Sequence, residues 1–329
     1  MVQQLHVNYK KDHLNFHDMI KRNERIGDQT ISYYNENYIN GKTIQYEIVD
    51  GIWGVYHDLV LEVSEIYNAE VKGVIKMNYC VSGRCEFHYK KNKIIYLGAG
   101  DFIVGQLEDN YERHQFPFRN YSGFSIITTE GKLDAFLDKI FPESKISAGH
   151  LIEKMNQNGA FLISGNDPKI HNIIEEMFIT NMSFKKERAM LKLAELILYL
   201  IDDDMIVGDL KGRYFEQHLI HKIKKIKRDV TENVDDYVKI KEISEKYGVS
   251  PRSFSECFKA VYGKTYYAFI KEFRVKKAAE MLRTTNDKIS DIAMLVGYQN
   301  ASKFSKAFSD VMGITPLTFR NNHFTTVLE

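Results

Sequence analysis

The sequence predicts an α+β protein with a sheet-rich N-terminal part and an all-helical C-terminal part. Two observations predict this division. Short alternating runs separated by glycine-rich turns occupy residues 43–129, a pattern typical of a small antiparallel barrel or sandwich. After Gly131 the apolar residues recur at helical spacing, and the last third of the chain contains an internal repeat of helical segments.

The composition is that of an ordinary folded protein. The 329 residues are 44% hydrophobic and 27% charged with 5 Pro, which excludes a disordered chain, and the length suits two domains. No window approaches about 18 consecutive apolar residues and the N-terminus lacks an apolar signal segment, so we expect no membrane span and a cytoplasmic protein. Cys80, Cys85 and Cys257 are too few for a disulfide framework, and we interpret them as buried thiols.

In the N-terminal part, residues 73–81 predict a strand, and Ser82-Gly83 predicts a hairpin turn. Beyond this turn the aromatic side chains alternate with polar ones, so they share one face of a strand. A barrel lined by such rings could hold a small apolar or aromatic effector; the alternative is that the rings form core. The candidate pocket residues are Tyr79, Phe87, Tyr89 and Tyr96.

The run from Tyr96 to Phe102 resembles the turn of cupin-like sensor domains found in many bacterial regulators. A cupin enzyme would need a metal, commonly held by a His-x-His pair and a carboxylate, because two imidazoles on one face converge on one ion. The sequence contains no His-x-His, and His88 and His114 stand alone. We therefore expect no metal and no cofactor.

The longest helical run, from Ser183 to Ile201, has apolar residues at alternating gaps of four and three, the spacing of a coiled-coil seam. Two interpretations remain open: a dimerisation helix, or a helix that packs on its own barrel. The seam residues are Ala189, Leu193, Leu196 and Leu200.

The charge is divided unevenly along the chain. The net charge is +1, but residues 219–322 hold 20 Lys and Arg against 12 Asp and Glu, so this segment is basic and the remainder acidic. A basic domain favours a polyanionic partner, because its binding releases counterions from phosphates. Acidic residues and glycine breakers near residue 205 predict three parts: a domain over 1–204, a linker over 205–218 and a basic domain over 219–329.

Two segments of the basic domain repeat. Residues 240–249 and 289–298 match at an offset of 49, and the phenylalanines and glycine that follow match at an offset of 50. Ser250 and Asn300 stand where a helix N-cap is expected, and Gly263 and Gly313 where each second helix ends. Each copy predicts a helix-turn-helix motif, in which the second helix enters the major groove. The segment from Thr265 to Leu282 predicts one long helix between the copies.

The stretch from Val238 to Asn322 resembles the DNA-binding domain of AraC/XylS-type transcriptional regulators, about a quarter of the chain. The resemblance is carried by residues of both copies and of the helices around them: Ile243-Ser244, Gly248-Val249-Ser250, Phe254, Phe258-Lys259, Gly263, Phe269, Arg274, Ala278, Leu282, Ile289, Ile292-Ala293, Gly297-Tyr298, Phe304-Ser305, Phe308, Gly313, Thr315-Pro316 and Phe319-Arg320. It implies structural roles for Arg274 and Arg320. Glu256 departs from the polar or basic groove face that is usual in this family.

The residues expected to face DNA are those that the buried phenylalanines leave on the other side of each reading helix. On the first reading helix they are Arg252, Ser253, Ser255, Glu256 and Lys259, and on the second Asn300, Ser302, Lys303 and Lys306. Arg252 can form two hydrogen bonds with guanine. Glu256 could accept from cytosine or pair with Arg252, and Asn300 is expected to act mainly as a cap.

We therefore expect a transcriptional regulator, and more specifically an activator, that is controlled by an unidentified effector in the N-terminal domain. Its expected partners are double-stranded promoter DNA, RNA polymerase and a second copy of the chain. The alternatives are a cupin-type metalloenzyme fused to a DNA-binding domain and an architectural DNA-bending protein. The missing ligand clusters disfavour the first, and the large N-terminal half disfavours the second.

Overall fold

The computed structural model describes residues 16–63, 65–67, 73–89, 93–107, 111–158, 161–178, 185–202, 214–232 and 238–324. The chain divides into two compact units, residues 1–214 and 215–329. Of the linker expected at 205–218, residues 205–213 lie outside the described residues, and residues 214–218 belong to a short strand and the helix that follows it. Within the described residues, no helix combines the length and apolar character needed to span a bilayer.

The first unit contains strands and four helices. The strands are β1 (Ile20–Ile26), β2 (Gln29–Tyr34), β3 (Ile39–Val49), β4 (Ile52–Leu61), β5 (Glu65–Tyr67), β6 (Val74–Tyr89), β7 (Lys93–Gly98), β8 (Asp101–Leu107), β9 (Tyr111–Gln115), β10 (Asn120–Thr129) and β11 (Phe161–Gly165). The helices are α1 (Glu130–Ile140), α2 (Ala148–Gln157), α3 (Pro168–Phe178) and α4 (Lys185–Ile201).

These strands form two antiparallel sheets that share β6. The larger sheet has the order β1-β2-β3-β4-β10-β6-β8-β11, and the smaller has the order β5-β9-β6-β7. The N-terminal half of β6 pairs with β10 and β8, and its C-terminal half pairs with β7 and β9. The first unit is therefore sheet-rich and fits a β-sandwich, one of the two arrangements that the sequence pattern predicts.

The hairpin turn expected at Ser82-Gly83 does not form, because β6 runs through both residues as one strand of 16. The register against β10 shifts between Ser122 and Gly123 at this point, which is the mark of a β-bulge. Gly83 has φ 82°, and a Cβ there would lie 2.1 Å from the carbonyl oxygen of Asn120. The glycine lets β6 bend from one sheet into the other instead of reversing.

Two apolar cores hold the first unit. One lies between the two sheets, and the other joins the outer face of the larger sheet to α1–α4. The seam of α4 belongs to the second core, since its side chains are fully buried: Ala189, Leu193, Leu196 and Leu200. The expected dimer contact through these four residues is therefore wrong, because they pack inside their own unit and are not available to a second chain.

The second unit is helical. A short strand β12 (Tyr214–Glu216) precedes α5 (Gln217–Glu232), α6 (Ile240–Tyr247), α7 (Pro251–Tyr262), α8 (Tyr266–Thr284), α9 (Ile289–Leu295), α10 (Ala301–Met312) and α11 (Pro316–Phe324). The 19 residues of α8 span about 28 Å. The C-terminal half of α8 packs on α9, α10 and α11, and its N-terminal half packs on α7 through aromatic rings.

Candidate nucleic-acid interface

Two helix pairs, α6 with α7 and α9 with α10, repeat in the second unit. The turn of each pair contains a glycine with positive φ, 61° at Gly248 and 84° at Gly297, a conformation that glycine adopts without a side-chain clash. Each second helix also ends at such a glycine, with φ 71° at Gly263 and 75° at Gly313. Both copies therefore have a left-handed glycine in the turn and another at the end of the second helix.

The hydrogen bonds of the two turns match at the same offset. In the first turn the amide of Val249 donates to the carbonyl of Ser244 at 3.2 Å, and in the second the amide of Tyr298 donates to the carbonyl of Ala293 at 2.8 Å. Hydrogen bonds of this kind cap the C-terminus of a helix that is followed by a residue in the left-handed conformation. They fix the angle at which each second helix leaves its turn.

The repeat extends beyond the glycines that end the two second helices. Thr265 directly precedes α8, and Thr315 directly precedes α11. The main-chain carbonyl of each accepts a hydrogen bond of 2.9 Å from the amide four residues later, that of Phe269 or Phe319. The signal was present in the sequence, because both pairs stand at the offset of 50 that relates the preceding glycines. Each copy therefore consists of a helix pair and the start of a supporting helix.

Each second helix buries two phenylalanines one turn apart. Phe254 and Phe258 of α7 are fully buried with ring centroids 5.4 Å apart, and Phe304 and Phe308 of α10 are fully buried at 5.7 Å. Because one face of each helix is fixed in the core, the opposite face lies at the surface. The expected DNA-reading residues lie on or beside these two exposed faces.

On α7 most of the polar groups are already paired. The side chain of Arg252 is 88% exposed, and its Nε donates to Oε1 of Glu256 at 2.9 Å. The amide of Ser253 donates to the cap Ser250, and the hydroxyl of Ser255 donates to the carbonyl of Pro251.

Lys259, on the next turn of α7, is exposed and forms no side-chain hydrogen bond or ion pair within the described residues. The first face therefore presents one unpaired cation beside an ion pair.

On α10 the cations are unpaired. Oδ1 of Asn300 accepts from the amides of Ser302 and Lys303 at 2.8 and 3.1 Å, so its oxygen caps the helix. The side chains of Ser302, Lys303 and Lys306 are exposed and have no hydrogen-bond or ion-pair partner in the part of the chain that the structure describes. The second face is therefore positively charged and free of carboxylates over its first two turns.

Two arginines of this unit donate hydrogen bonds to main-chain carbonyls of the same unit. Arg274 is buried on α8, and its Nη1 donates to the carbonyl of Gly297 in the second turn at 3.1 Å. Arg320 on α11 donates to the carbonyl of Asp287, which precedes α9, at 2.6 Å. Both side chains fix the position of the second helix pair.

The sequence of this helical unit is similar to that of known proteins. The sequence model of the family described as "Helix-turn-helix domain" matches residues 243–322. The Bacillus subtilis uncharacterized HTH-type transcriptional regulator YfiF is 30% identical over 96 residues, which are 29% of this chain and 30% of that protein. The match thus spans less than a third of either protein. Residues 243–322 form an AraC-type helix-turn-helix domain.

Solved structures were also compared with the chain. The C-terminal domain of AraT, a response regulator from Geobacillus stearothermophilus, is 27% identical with a TM-score of 0.30, covering 31% of this chain and 84% of that chain. A transcriptional regulator from Chromobacterium violaceum, of the AraC-type DNA-binding domain-containing proteins, is 22% identical with a TM-score of 0.29, covering 32% of this chain and 93% of that chain. Both overlaps are confined to about a third of this chain.

Outside the AraC-type domain, the expected effector residues do not share a cavity. Tyr79 lines a cleft on the outer face of the larger sheet, whereas Phe87 lies in the core between the sheets. The hydroxyl of Tyr96 donates to the buried carboxylate of Glu86 at 2.7 Å. The side chain of Tyr89 lies outside the described residues. One pocket lined by all of these rings is therefore not formed, because the bulge in β6 turns Tyr79 and Phe87 to opposite faces and into different cores.

The inner face of the larger sheet carries a buried polar row that the sequence analysis missed. Nδ1 and Nε2 of His57 lie 3.3 Å from the hydroxyls of Thr43 and Ser125, and Ser125 donates to Oδ1 of Asn78 at 2.8 Å. Burial lowers the pKa of His57 to about 3, so its imidazole is neutral near pH 7. The available signal was the strand of residues 74–80, where Lys76 and Asn78 interrupt apolar residues at alternate positions.

The cysteines of the described residues are free and buried. Burial raises the pKa of the Cys80 thiol to about 12, so this thiol is protonated near pH 7. Among the described side chains, no group of three or more His, Cys, Asp or Glu is placed to hold a metal ion.

Proposed function

We propose that the protein is a sequence-specific regulator of transcription that binds double-stranded promoter DNA through two helix-turn-helix motifs. The first motif is α6 with α7, and the second is α9 with α10. The observation that carries the proposal is the repeat, in which two helix pairs with the same turn each expose basic side chains opposite a buried phenylalanine face. A helix exposed in this way fits the major groove.

In this mechanism α7 and α10 enter successive major grooves on one face of the duplex. The connecting helix α8 spans about 28 Å, which is near the 34 Å of one DNA turn. Lys259, Lys303 and Lys306 contact phosphates or base edges, and Arg252 reads a guanine after exchanging Glu256 for the base.

Fluorescence anisotropy of the full chain tests this function. Titrations with a duplex obtained by in vitro selection and with a scrambled duplex of equal length are compared over a range of salt concentrations. We expect tighter binding to the selected duplex, and an affinity that falls steeply with salt because several phosphate contacts release counterions. No binding at low salt by a chain with an intact helical circular dichroism spectrum would contradict the proposal.

We propose further that the sheet-rich unit is a cupin-like sensor, and that binding of its effector changes how the DNA-binding unit binds DNA. We also propose that the protein is an activator that contacts RNA polymerase. Two antiparallel sheets that share β6 and enclose a core support the cupin-like assignment. Transcription in vitro with purified polymerase separates the outcomes: an activator raises the yield from a promoter that carries the selected site, and a repressor lowers it.

A homodimer remains part of the proposal, with a different contact surface from the one expected. The exposed face of α4 carries Leu191 and Leu198, which are 66% and 37% exposed. We propose that a second copy meets this face. Sedimentation of the double variant Leu191→Glu/Leu198→Glu should give the monomer mass with unchanged folding, whereas an unchanged dimer mass would contradict this contact.

A further inference from the structure

A cleft of about 390 Å³ lies on the outer face of the larger sheet, where β3, β4, β10 and β6 meet α3. This volume is in the range of small-molecule sites. The helices of the first unit cover the neighbouring part of this sheet face with apolar side chains, and the cleft opens beside α3. It lies on the opposite side of the sheet from the buried polar row of His57.

Aromatic rings form a continuous wall of the cleft. The ring centroids of Tyr56 and Phe124 lie 5.0 Å apart, and those of Phe124 and Phe178 lie 4.3 Å apart. Gly54 of β4 lies behind two rings of this wall, since a Cβ there would lie 3.1 Å from Phe178 and 3.2 Å from Tyr46. The absence of a side chain at Gly54 lets these two rings approach the strand.

The polar end of the cleft is a row of three side chains. The Tyr79 hydroxyl lies 2.7 Å from Nδ1 of His171, and Nε2 of His171 lies 3.6 Å from Oε2 of Glu175. A phenol oxygen has two lone pairs, so the Tyr79 hydroxyl can accept a hydrogen bond from a ligand while it is bonded to His171. Among the described lining residues Glu175 supplies a carboxylate, and none is Lys or Arg.

A cation already lies over a ring beside this wall. Nζ of Lys185, at the start of α4, lies 4.3 Å from the centroid of the Tyr46 ring. Aromatic faces attract ammonium groups because the ring quadrupole is negative above and below its plane. The aromatic wall and the Glu175 carboxylate therefore both favour a cationic ligand.

We propose that the cleft binds a small aromatic amine in its cationic form. The aromatic body of the ligand packs on Tyr56 and Phe124, and its ammonium group lies beside the Glu175 carboxylate at the polar end of the cleft. The site deepens the proposed function, since the amine takes the role of the effector, but its binding is measured without DNA.

Calorimetric titration of the full chain with four probes tests the ligand class. Phenethylamine is the cationic probe, hydrocinnamamide its neutral counterpart, hydrocinnamate its anionic counterpart, and ethylamine the amine without a ring. We expect phenethylamine to bind about tenfold more tightly than hydrocinnamamide, with no detectable binding of the other two. Equal binding of the amine and the amide, or tighter binding of the carboxylate, overturns the proposal.

Matched carboxylate variants locate the bound ammonium group. Glu175→Gln should abolish the preference for the amine over the amide. Glu176→Gln should leave the preference intact, because Glu176, next to it on α3, pairs with Lys192 at 2.8 Å. Tyr56→Leu should weaken both aromatic probes alike. A preference that survives Glu175→Gln, or that is lost equally in Glu176→Gln, overturns the proposed placement.

Anisotropy with the selected duplex then separates this site from the proposed function. Phenethylamine should change the affinity for DNA at least threefold in the unmodified chain and leave it unchanged in Glu175→Gln. Calorimetric binding of the amine with no effect on DNA affinity overturns its role as effector. A chain that binds phenethylamine but no duplex overturns the proposed function and leaves the cleft assignment standing.

Discussion

The two helix pairs of the AraC-type domain share a backbone and differ in the charge of the face they expose. On α7, Arg252 is paired with Glu256, so its cation is partly neutralised before any ligand arrives. On α10, Lys303 and Lys306 stand without a partner among the described residues. The difference suggests that two copies of one fold can have different roles. We expect the second pair mainly to attract phosphates and the first pair mainly to discriminate between bases.

The largest effect is expected when the second face loses its cations. The double variant Lys303→Ala/Lys306→Ala should weaken binding to every duplex on the order of 100-fold, because each hydrogen bond to a charged group contributes about 1.5 kcal/mol. The salt slope should fall by about two. Fluorescence anisotropy at several salt concentrations measures both quantities. The control is Lys139→Ala/Lys145→Ala, which makes the same charge change on exposed residues of the first unit; equal losses in the two variants would contradict a local role.

Removal of Arg252 from the exposed face of α7 should change the sequence preference rather than the affinity for all duplexes. Arg252→Ala should cost about 1–3 kcal/mol on the selected duplex and relax the preference at one base pair, because a bidentate contact with guanine is lost. Binding to scrambled duplexes should change little. Repeating the in vitro selection with the variant measures the preference at each position. A uniform loss on all sequences would place Arg252 at a phosphate and remove the contrast between the two faces.

The two helix pairs also differ in how strongly their N-caps are expected to stabilise the helical unit. Asn300 accepts from two amides and Ser250 from one, so Asn300→Ala should destabilise the helical unit by about 1 kcal/mol and Ser250→Ala by less. Urea unfolding followed by circular dichroism measures the free energy of unfolding. Ser302→Ala, on an exposed side chain beside the second cap, serves as the control. A larger loss of unfolding free energy in Ser250→Ala than in Asn300→Ala would show that the number of capped amides does not determine the contribution of each cap.

The smallest effect is expected from freeing Arg252. Glu256→Gln removes the carboxylate from the first face and should tighten binding about threefold, since an exposed ion pair contributes less than about 1 kcal/mol. Glu245→Gln makes the same charge change on the exposed side of α6. Equal tightening in both variants would assign the effect to net charge, and anisotropy at two salt concentrations distinguishes the two cases.

The sequence predicted the helical unit well because its signals are local. A cap residue, a glycine that ends a helix and a phenylalanine one turn from another all act within a few residues. The repeat at offsets of 49 and 50 therefore placed the two helix pairs. The family resemblance over this part of the chain is confirmed. The Arg252–Glu256 pair was one of two alternatives, because helical spacing allows an ion pair without requiring it.

The sheet-rich unit was predicted less well because its determinants are distant in the sequence. Gly83 could mark a turn or a bulge, and the choice depends on its pairing with Tyr121, almost forty residues away. The spacing of Leu193 and Leu196 fits a dimer seam and an internal core equally, and only the packed α4 decides between them. The cleft of Tyr56 and Phe124 arises where two strands become neighbours, which no local pattern reveals.

The central claim is that both helix pairs contact the same face of one DNA site. Anisotropy of the full chain with two derivatives of the selected duplex tests it most directly: one with 5 bp inserted between the two protected grooves, and one with 5 bp inserted outside them. Half a helical turn between the grooves moves the second half-site to the opposite face of the duplex. The account predicts that the inner insertion lowers the affinity to that of a scrambled duplex and that the outer insertion has no effect. Full affinity for the inner insertion would show that one helix pair alone reads the DNA.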